Sequence, residues 1–152
     1  MDNKINIKNK RAYFDYEILE KFTAGIVLTG TEVKSVRSGK VSLGDSYCFI
    51  RDGEIFVRGM QIAEYKFGTY NNHNPERERK LLLERKDIKR LERKTKETGN
   101  TIVSLRLYFS ETGYAKLRIG LAKGKKQYDK RETIKQKDAK RQIERLHKFR
   151  ER

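Results

Sequence analysis

The chain has 152 residues and a mass of 18.0 kDa, enough for one domain with a short appendage. Hydrophobic residues make up 36% and charged residues 38%, and 37 Lys and Arg against 21 Asp and Glu leave a net +16. This excess excludes a neutral, self-contained globule and points to a polyanionic partner. No run approaches the ~18 apolar residues of a membrane span, and the start of the chain has no apolar signal-peptide core. With Cys48 alone, no intramolecular disulfide can form, so a cytoplasmic protein without a membrane partner is expected.

Taken in chain order, Ala12, Phe14, Tyr16 and Ile18 alternate as in a strand, and Gly25-Ile26-Val27-Leu28 is a short apolar run. Thr29-Gly30-Thr31-Glu32 has capping-box spacing, which predicts a helix through Val33 to Arg37 that stops at Ser38-Gly39. Val33 and Val36 then face inward, and Lys34 and Arg37 face out. Asp52-Gly53, between Tyr47-Cys48-Phe49-Ile50 and Ile55-Phe56-Val57, suits the positive φ angles of a hairpin turn. Asn71 to Pro75 is turn chemistry. Lys80 to Leu83 is a possible further strand, although Pro75 to Arg85 also admits a helix.

A second helix is expected from about Lys86 to Glu97, with Ile88 and Leu91 buried and Gly99 as its C-terminal cap. Beyond it, Val103, Leu105, Leu107 and Phe109 alternate with polar residues. After Gly113, so do Ala115, Leu117, Ile119 and Leu121. Two period-two segments around a short glycine loop make an antiparallel hairpin with one apolar face. The sum is a mainly β fold of six or seven strands. Strands this short close on themselves or leave sticky edges, so the expected architecture is a small closed antiparallel β-barrel with two or three short helices. A two-layer α+β sandwich is the alternative.

Half of the charge excess lies in residues 123–152, which lack an apolar block. Residues 1–125 read as the barrel body, and 126–152 as a basic tail that is disordered when free. Ile134, Ile143, Leu146 and Phe149 give the tail a sparse amphipathic stripe, suited to folding on a charged partner.

No catalytic or metal-binding constellation emerges. His73, His147 and Cys48 are far apart in sequence, so no metal site is expected. Gly120-Leu121-Ala122-Lys123-Gly124-Lys125-Lys126 falls short of a phosphate loop: three residues instead of four separate its glycines, and Lys126 stands where Ser or Thr would hold magnesium. The acids Asp15, Glu17, Glu32, Asp45, Asp52 and Glu54 do not pair by spacing. Neither an enzyme nor a cofactor is expected. Four basic groups sit beside turns or element ends: Asn9-Lys10-Arg11; Lys34, Arg37 and Lys40; Arg77, Arg79 and Lys80; and Lys123, Lys125 and Lys126. Those on the second helix alternate with Glu92 and Glu97 and read as solvated surface.

Several of these strings resemble the SmpB family, small proteins that bind tmRNA. They are Asn9-Lys10-Arg11-Ala12, Gly25 to Ser35, Asp45-Ser46-Tyr47, Arg79-Lys80-Leu81-Leu82-Leu83, Leu107-Tyr108-Phe109, Ile119 to Lys126 and Asp129-Lys130-Arg131-Glu132. The resemblance implies a barrel related to the oligonucleotide-binding fold and no catalysis. It implies binding of the tRNA-like domain of tmRNA, delivery of charged tmRNA by elongation factor Tu, and rescue of ribosomes stalled on messages without a stop codon. By residue, it places RNA contacts at Asn9, Lys10 and Arg11, at Lys34 and Ser35 of the first-helix motif, whose Glu32 reads either as a contact or as a structural cap, and at Gly124, Lys125 and Lys126, with Lys123 beside them as a further candidate. The neighbouring cations Arg37, Lys40, Arg79 and Lys80 are added as RNA-binding candidates. Tyr128, Asp129, Lys130, Arg131, Ile134 and Leu146 are assigned to a tail that engages the decoding region and the empty message channel. Thr23 stands where many relatives carry an acid, and Tyr128 where several have His; Tyr128 keeps a ring able to stack. A structural ribosomal protein and an RNA-trimming nuclease are the competing classes.

Overall fold

A computed structural model describes residues 5–68, 72–97, 99–125 and 140–141. Lys126 and the six tail candidates from Tyr128 to Leu146 lie outside the described residues. Nine strands and three helices are formed among those described: β1 (Asn6–Lys8), α1 (Lys10–Asp15), β2 (Tyr16–Ile26), α2 (Gly30–Arg37), β3 (Val41–Ser42), β4 (Tyr47–Arg51), β5 (Glu54–Arg58), β6 (Gln61–Ile62), β7 (Arg79–Leu82), α3 (Arg85–Thr95), β8 (Asn100–Phe109) and β9 (Ala115–Gly124).

The strands β8-β4-β5-β7-β2-β9 are hydrogen-bonded in that order, every pair antiparallel. Pairing of β8 with β9 closes the ring. β1 adds to the free end of β8, and β3 with β6 makes a small separate ladder. Closure removes the long unpaired edges that an open sheet of this size would expose. The segment left open between Pro75 and Arg85 contains strand β7, which pairs with both β2 and β5.

The hairpin turn between β4 and β5 has Asp52 at φ 54° and Gly53 at φ 75°, as its sequence predicts. The capping box at α2 also forms: Thr29 Oγ1 accepts from the Glu32 amide, and Glu32 Oε1 accepts from the Thr29 amide at 2.9 Å. Gly39, at φ 74°, ends that helix. Val36 of α2 joins Ile88 and Leu91 of α3 in the main core with Ile55, Val57, Leu81, Leu107, Leu117 and Ile119.

Two expectations need correction. Residues 12–15 are helix rather than strand, and β2 is one continuous strand from Tyr16 through the Gly25 run. The cause is Asn9. Its Oδ1 accepts from the Ala12 amide, while its Nδ2 donates to the Ser104 carbonyl at 2.9 Å and its own amide donates to the Leu105 carbonyl at 2.8 Å. This capping side chain starts a helical turn and fastens it to β8, which outweighs four residues of alternation.

The second correction concerns the single apolar face of β8. A register shift between Ser104 and Arg106 inserts Leu105 as a bulge. Because side chains alternate with period two, one extra residue reverses the facing of all that follow. Ile102, Leu107 and Phe109 therefore share the main core, whereas Val103 and Leu105 pack outside it with Ala12 and Ala122, beneath α1. Gly120 leaves room for this second cluster: a Cβ there would lie 3.0 Å from Leu105 Cδ1 and 3.1 Å from Ile18 Cγ2.

Candidate nucleic-acid interface

The fold brings the first and last basic groups of the body together. β2 runs beside β9 with Tyr16 opposite Gly124 and Glu17 opposite Lys123. Lys125 Nζ donates to the Tyr13 carbonyl at 3.2 Å, and the Lys125 amide donates to the Asp15 carbonyl at 3.0 Å. The helix that carries Lys10 and Arg11 is thus docked through its C-terminal end, Tyr13 and Asp15, against the end of β9 at Lys123 to Lys125, over a hundred positions later in the chain. Lys10, Arg11, Lys123 and Gly124 are exposed. Arg11 reaches Asp15 at 3.3 Å and Asp45 at 3.5 Å, which orders its guanidinium while leaving most of it in solvent.

The second basic group surrounds α2. Lys34, Arg37 and Lys40 are all exposed, and none forms an ion pair among the described residues. Lys34 Nζ lies 5.1 Å from the Tyr65 ring centre, and the Arg37 guanidinium 5.4 Å from that of Phe109. Aromatic faces hold these cations by cation–π attraction without neutralising them. The Leu43 carbonyl, three residues beyond Lys40, accepts from Asn9 Nδ2 at 3.4 Å, so one short segment joins the two groups.

The third group does not form a cationic surface. Arg79 is fully buried. Its Nε donates to Glu32 Oε2, its Nη1 to the carbonyls of Met60 and Arg77, and its Nη2 to that of Pro75. Arg77 Nη2 donates to Glu32 Oε1 at 2.5 Å, and Lys80 pairs with Glu54 at 3.1 Å. Arg79 is thus an internal counter-ion, in contrast to the RNA contact expected of it, and Lys80 has a carboxylate partner. A guanidinium in the interior needs a charge partner and acceptors for its remaining donors, and here it has both.

Glu32 is equally buried. Burial pushes its carboxyl upward, but hydrogen bonds from Arg77, the Thr29 amide and Arg79 outweigh that and hold it below the ordinary carboxylate range. Glu32 therefore caps α2 and anchors Arg79. Ser35 and Asn9 are buried as well, so these three candidates shape the surface from beneath it. Thr23 is exposed on β2 opposite Arg118.

Sequence reasoning missed Tyr65, whose ring lies against Lys34 of α2, and its neighbours Lys66 and Phe67. The available signal was a Tyr-Lys-Phe string just ahead of a glycine and an asparagine-rich turn. His73 is packed: its Nε2 donates to the Ile62 carbonyl and its Nδ1 accepts from Thr31 Oγ1, each at 2.9 Å. Cys48 is buried, and burial raises its thiol pKa to about 12. Among the described residues no three His, Cys, Asp or Glu side chains cluster as a metal site, and no helix is long and apolar enough to cross a membrane.

A family model described as SmpB protein matches residues 6–149, nearly the whole chain. The chain belongs to the SmpB family. The SsrA-binding protein of Phocaeicola vulgatus is 59% identical over 144 residues, covering 95% of this chain and 96% of that protein. The SsrA-binding protein of Listeria welshimeri is 55% identical, covering 99% and 97%. Among solved structures, a chain described under "tmRNA-SmpB: a journey to the center of the bacterial ribosome" superposes with a TM-score of 0.69. It is 46% identical, with 86% of this chain and 94% of that one covered. In this chain, the stretches Gly25 to Ser35 and Arg79 to Leu83 hold buried residues, Glu32 and Arg79, as well as exposed ones.

Proposed function

We propose that this chain binds the tRNA-like domain of tmRNA and acts with it in trans-translation, freeing ribosomes stalled on messages that lack a stop codon. The observation that carries this reading is the docking of α1, which carries Lys10 and Arg11, against the end of β9 with Lys123 and Lys125, joined through the Leu43 segment to the chain of Lys34, Arg37 and Lys40. A cationic surface assembled from distant parts of the chain, on a closed and rigid ring, suits a folded polyanion. The chain does this as a binding protein without catalytic work of its own, in the cytoplasm, with elongation factor Tu delivering the charged tmRNA. Residues 1–125 grip tmRNA, and residues 126–152 engage the decoding region and the empty message channel of the ribosome through Tyr128, Asp129, Lys130 and Arg131.

The test separates body from tail. Lys34→Glu and Lys123→Glu weaken tmRNA binding and flatten its salt dependence, because each neutralised phosphate contributes about 0.7–0.9 to the slope of log affinity against log salt. Truncation before Asp129 leaves tmRNA affinity intact and abolishes peptide tagging. Unchanged affinity in both charge reversals removes the basic face from the account. Equal loss of affinity and tagging in the truncated chain removes the division of labour.

A further inference from the structure

We propose that Phe67, backed by Tyr65 and flanked by Lys34 and Lys66, is a stacking subsite for one unpaired RNA base. This inference rests on the tmRNA reading above and assigns a specific contact within it. Phe67 is 74% exposed, the most exposed large apolar side chain among the described residues. An exposed phenylalanine alone is unremarkable. Here, however, it is carried on a turn that is held in place. The Gly68 amide donates to the Tyr65 carbonyl at 2.9 Å. The Asn72 side chain closes the same turn twice, donating to the Tyr65 carbonyl at 2.8 Å and accepting from the Tyr65 amide at 3.1 Å. A Cβ on residue 68 would lie 2.7 Å from Asn72 Nδ2, so the clamp requires glycine there.

Next to Asn72, His73 ties the segment to the rest of the surface. Its ring bridges the Ile62 carbonyl on β6 and Thr31 on α2. Through this bridge the turn keeps a fixed position relative to Lys34. The Tyr65 and Phe67 rings meet edge to face, with centres 5.6 Å apart and planes at 71°. Lys34 lies over Tyr65, and Lys66 Nζ is 5.8 Å from the Phe67 ring centre. Neither lysine has an ion pair among the described residues. An aromatic ring open to solvent on a tied turn, with the unneutralised Lys66 beside it and Lys34 on the adjoining Tyr65 ring, matches a base with a neighbouring phosphate: the ring offers a π face and the lysines the counter-charge. A purely apolar protein partner would have to strip water from both ammonium groups without compensation.

The unpaired base can come from tmRNA or from ribosomal RNA, and the experiment distinguishes the two. The chain contains no tryptophan, so Phe67→Trp in the full-length protein places a single reporter at the subsite. Its fluorescence is followed on titration with the tRNA-like domain of tmRNA and, separately, with small ribosomal subunits free of tmRNA. Quenching that saturates with one of these RNAs is expected and names the source. Against that RNA, Phe67→Ala loses about ten- to a hundredfold in affinity. Its salt slope stays unchanged, Phe67→Leu behaves like Phe67→Ala, and Phe67→Tyr retains binding. If neither RNA quenches the reporter, and Phe67→Ala binds both as the parent does while Lys34→Glu loses affinity, the stacking subsite is refuted and the tmRNA reading stands. If Lys34→Glu and Lys123→Glu also bind unchanged, both fall together.

Discussion

Replacing Glu32 by Ala tests whether this motif residue is scaffold or contact. In the folded chain its carboxylate accepts from the Thr29 amide, from Arg77 and from Arg79, and both it and Arg79 are excluded from solvent. Removing it leaves a buried guanidinium with carbonyl acceptors and no counter-charge, a loss of about 3–5 kcal/mol. The Thr29 amide loses its acceptor as well, so a total near 4 kcal/mol is a conservative expectation, a large share of the roughly 5–15 kcal/mol that holds a domain folded. With a urea m-value of about 2 kcal/mol/M, the unfolding midpoint falls by about 2 M at constant m. Adding Arg79→Met to the Glu32→Ala chain removes the stranded charge and recovers much of the loss. A Glu32→Ala protein that unfolds at the parent's midpoint yet no longer binds tmRNA would refute this reasoning and make Glu32 a direct contact.

Other outcomes follow from the same geometry. Because its partners depress the Glu32 pKa below the ordinary 4.5, the stability it confers is complete above that value and fades as pH falls through the folded-state pKa. Urea midpoints measured from pH 7 downward therefore decline in the parent, and Glu32→Gln, destabilised throughout, shows a shallower acid decline. Gly120→Ala pushes a methyl against Leu105 and Ile18 and lowers stability by about 1–3 kcal/mol in chemical denaturation, with the β8–β9 hairpin register under strain. Cys48, with its thiol pKa raised to about 12 by burial, stays unreactive toward an aromatic disulfide reagent at pH 8 and releases one equivalent of chromophore once urea unfolds the chain.

What the sequence made legible was local. Asp52-Gly53, the Thr29–Glu32 capping box and the alternation around Gly113 each specify a turn, a helix start or a hairpin through contacts a few residues apart. What it hid depends on partners distant in the chain. The helical turn at Lys10–Asp15 is six residues long and owes its existence to Asn9 reaching β8, so alternation at Ala12, Phe14 and Tyr16 misleads. The Leu105 bulge leaves no mark in the alternation, because Val103 and Leu105, although on the outer face, are apolar to pack against Ala12 of α1. The candidate site divides in the same way. Lys10, Lys34 and Lys123 were legible as cations beside turns, but Arg79 looks identical in sequence until Glu32 is found buried against it. Tyr65 and Phe67 carried too weak a pattern to stand out before Asn72 and His73 were seen to hold them beside Lys34.

The most direct measurement is recovery of RNA on the affinity-tagged full-length chain from cells, followed by sequencing of what is bound. The account predicts that tmRNA dominates the recovered RNA and that its yield collapses in the Lys34→Glu, Lys123→Glu double variant while that protein remains folded. Recovery without tmRNA enrichment, or equal tmRNA yield from parent and double variant, would contradict it.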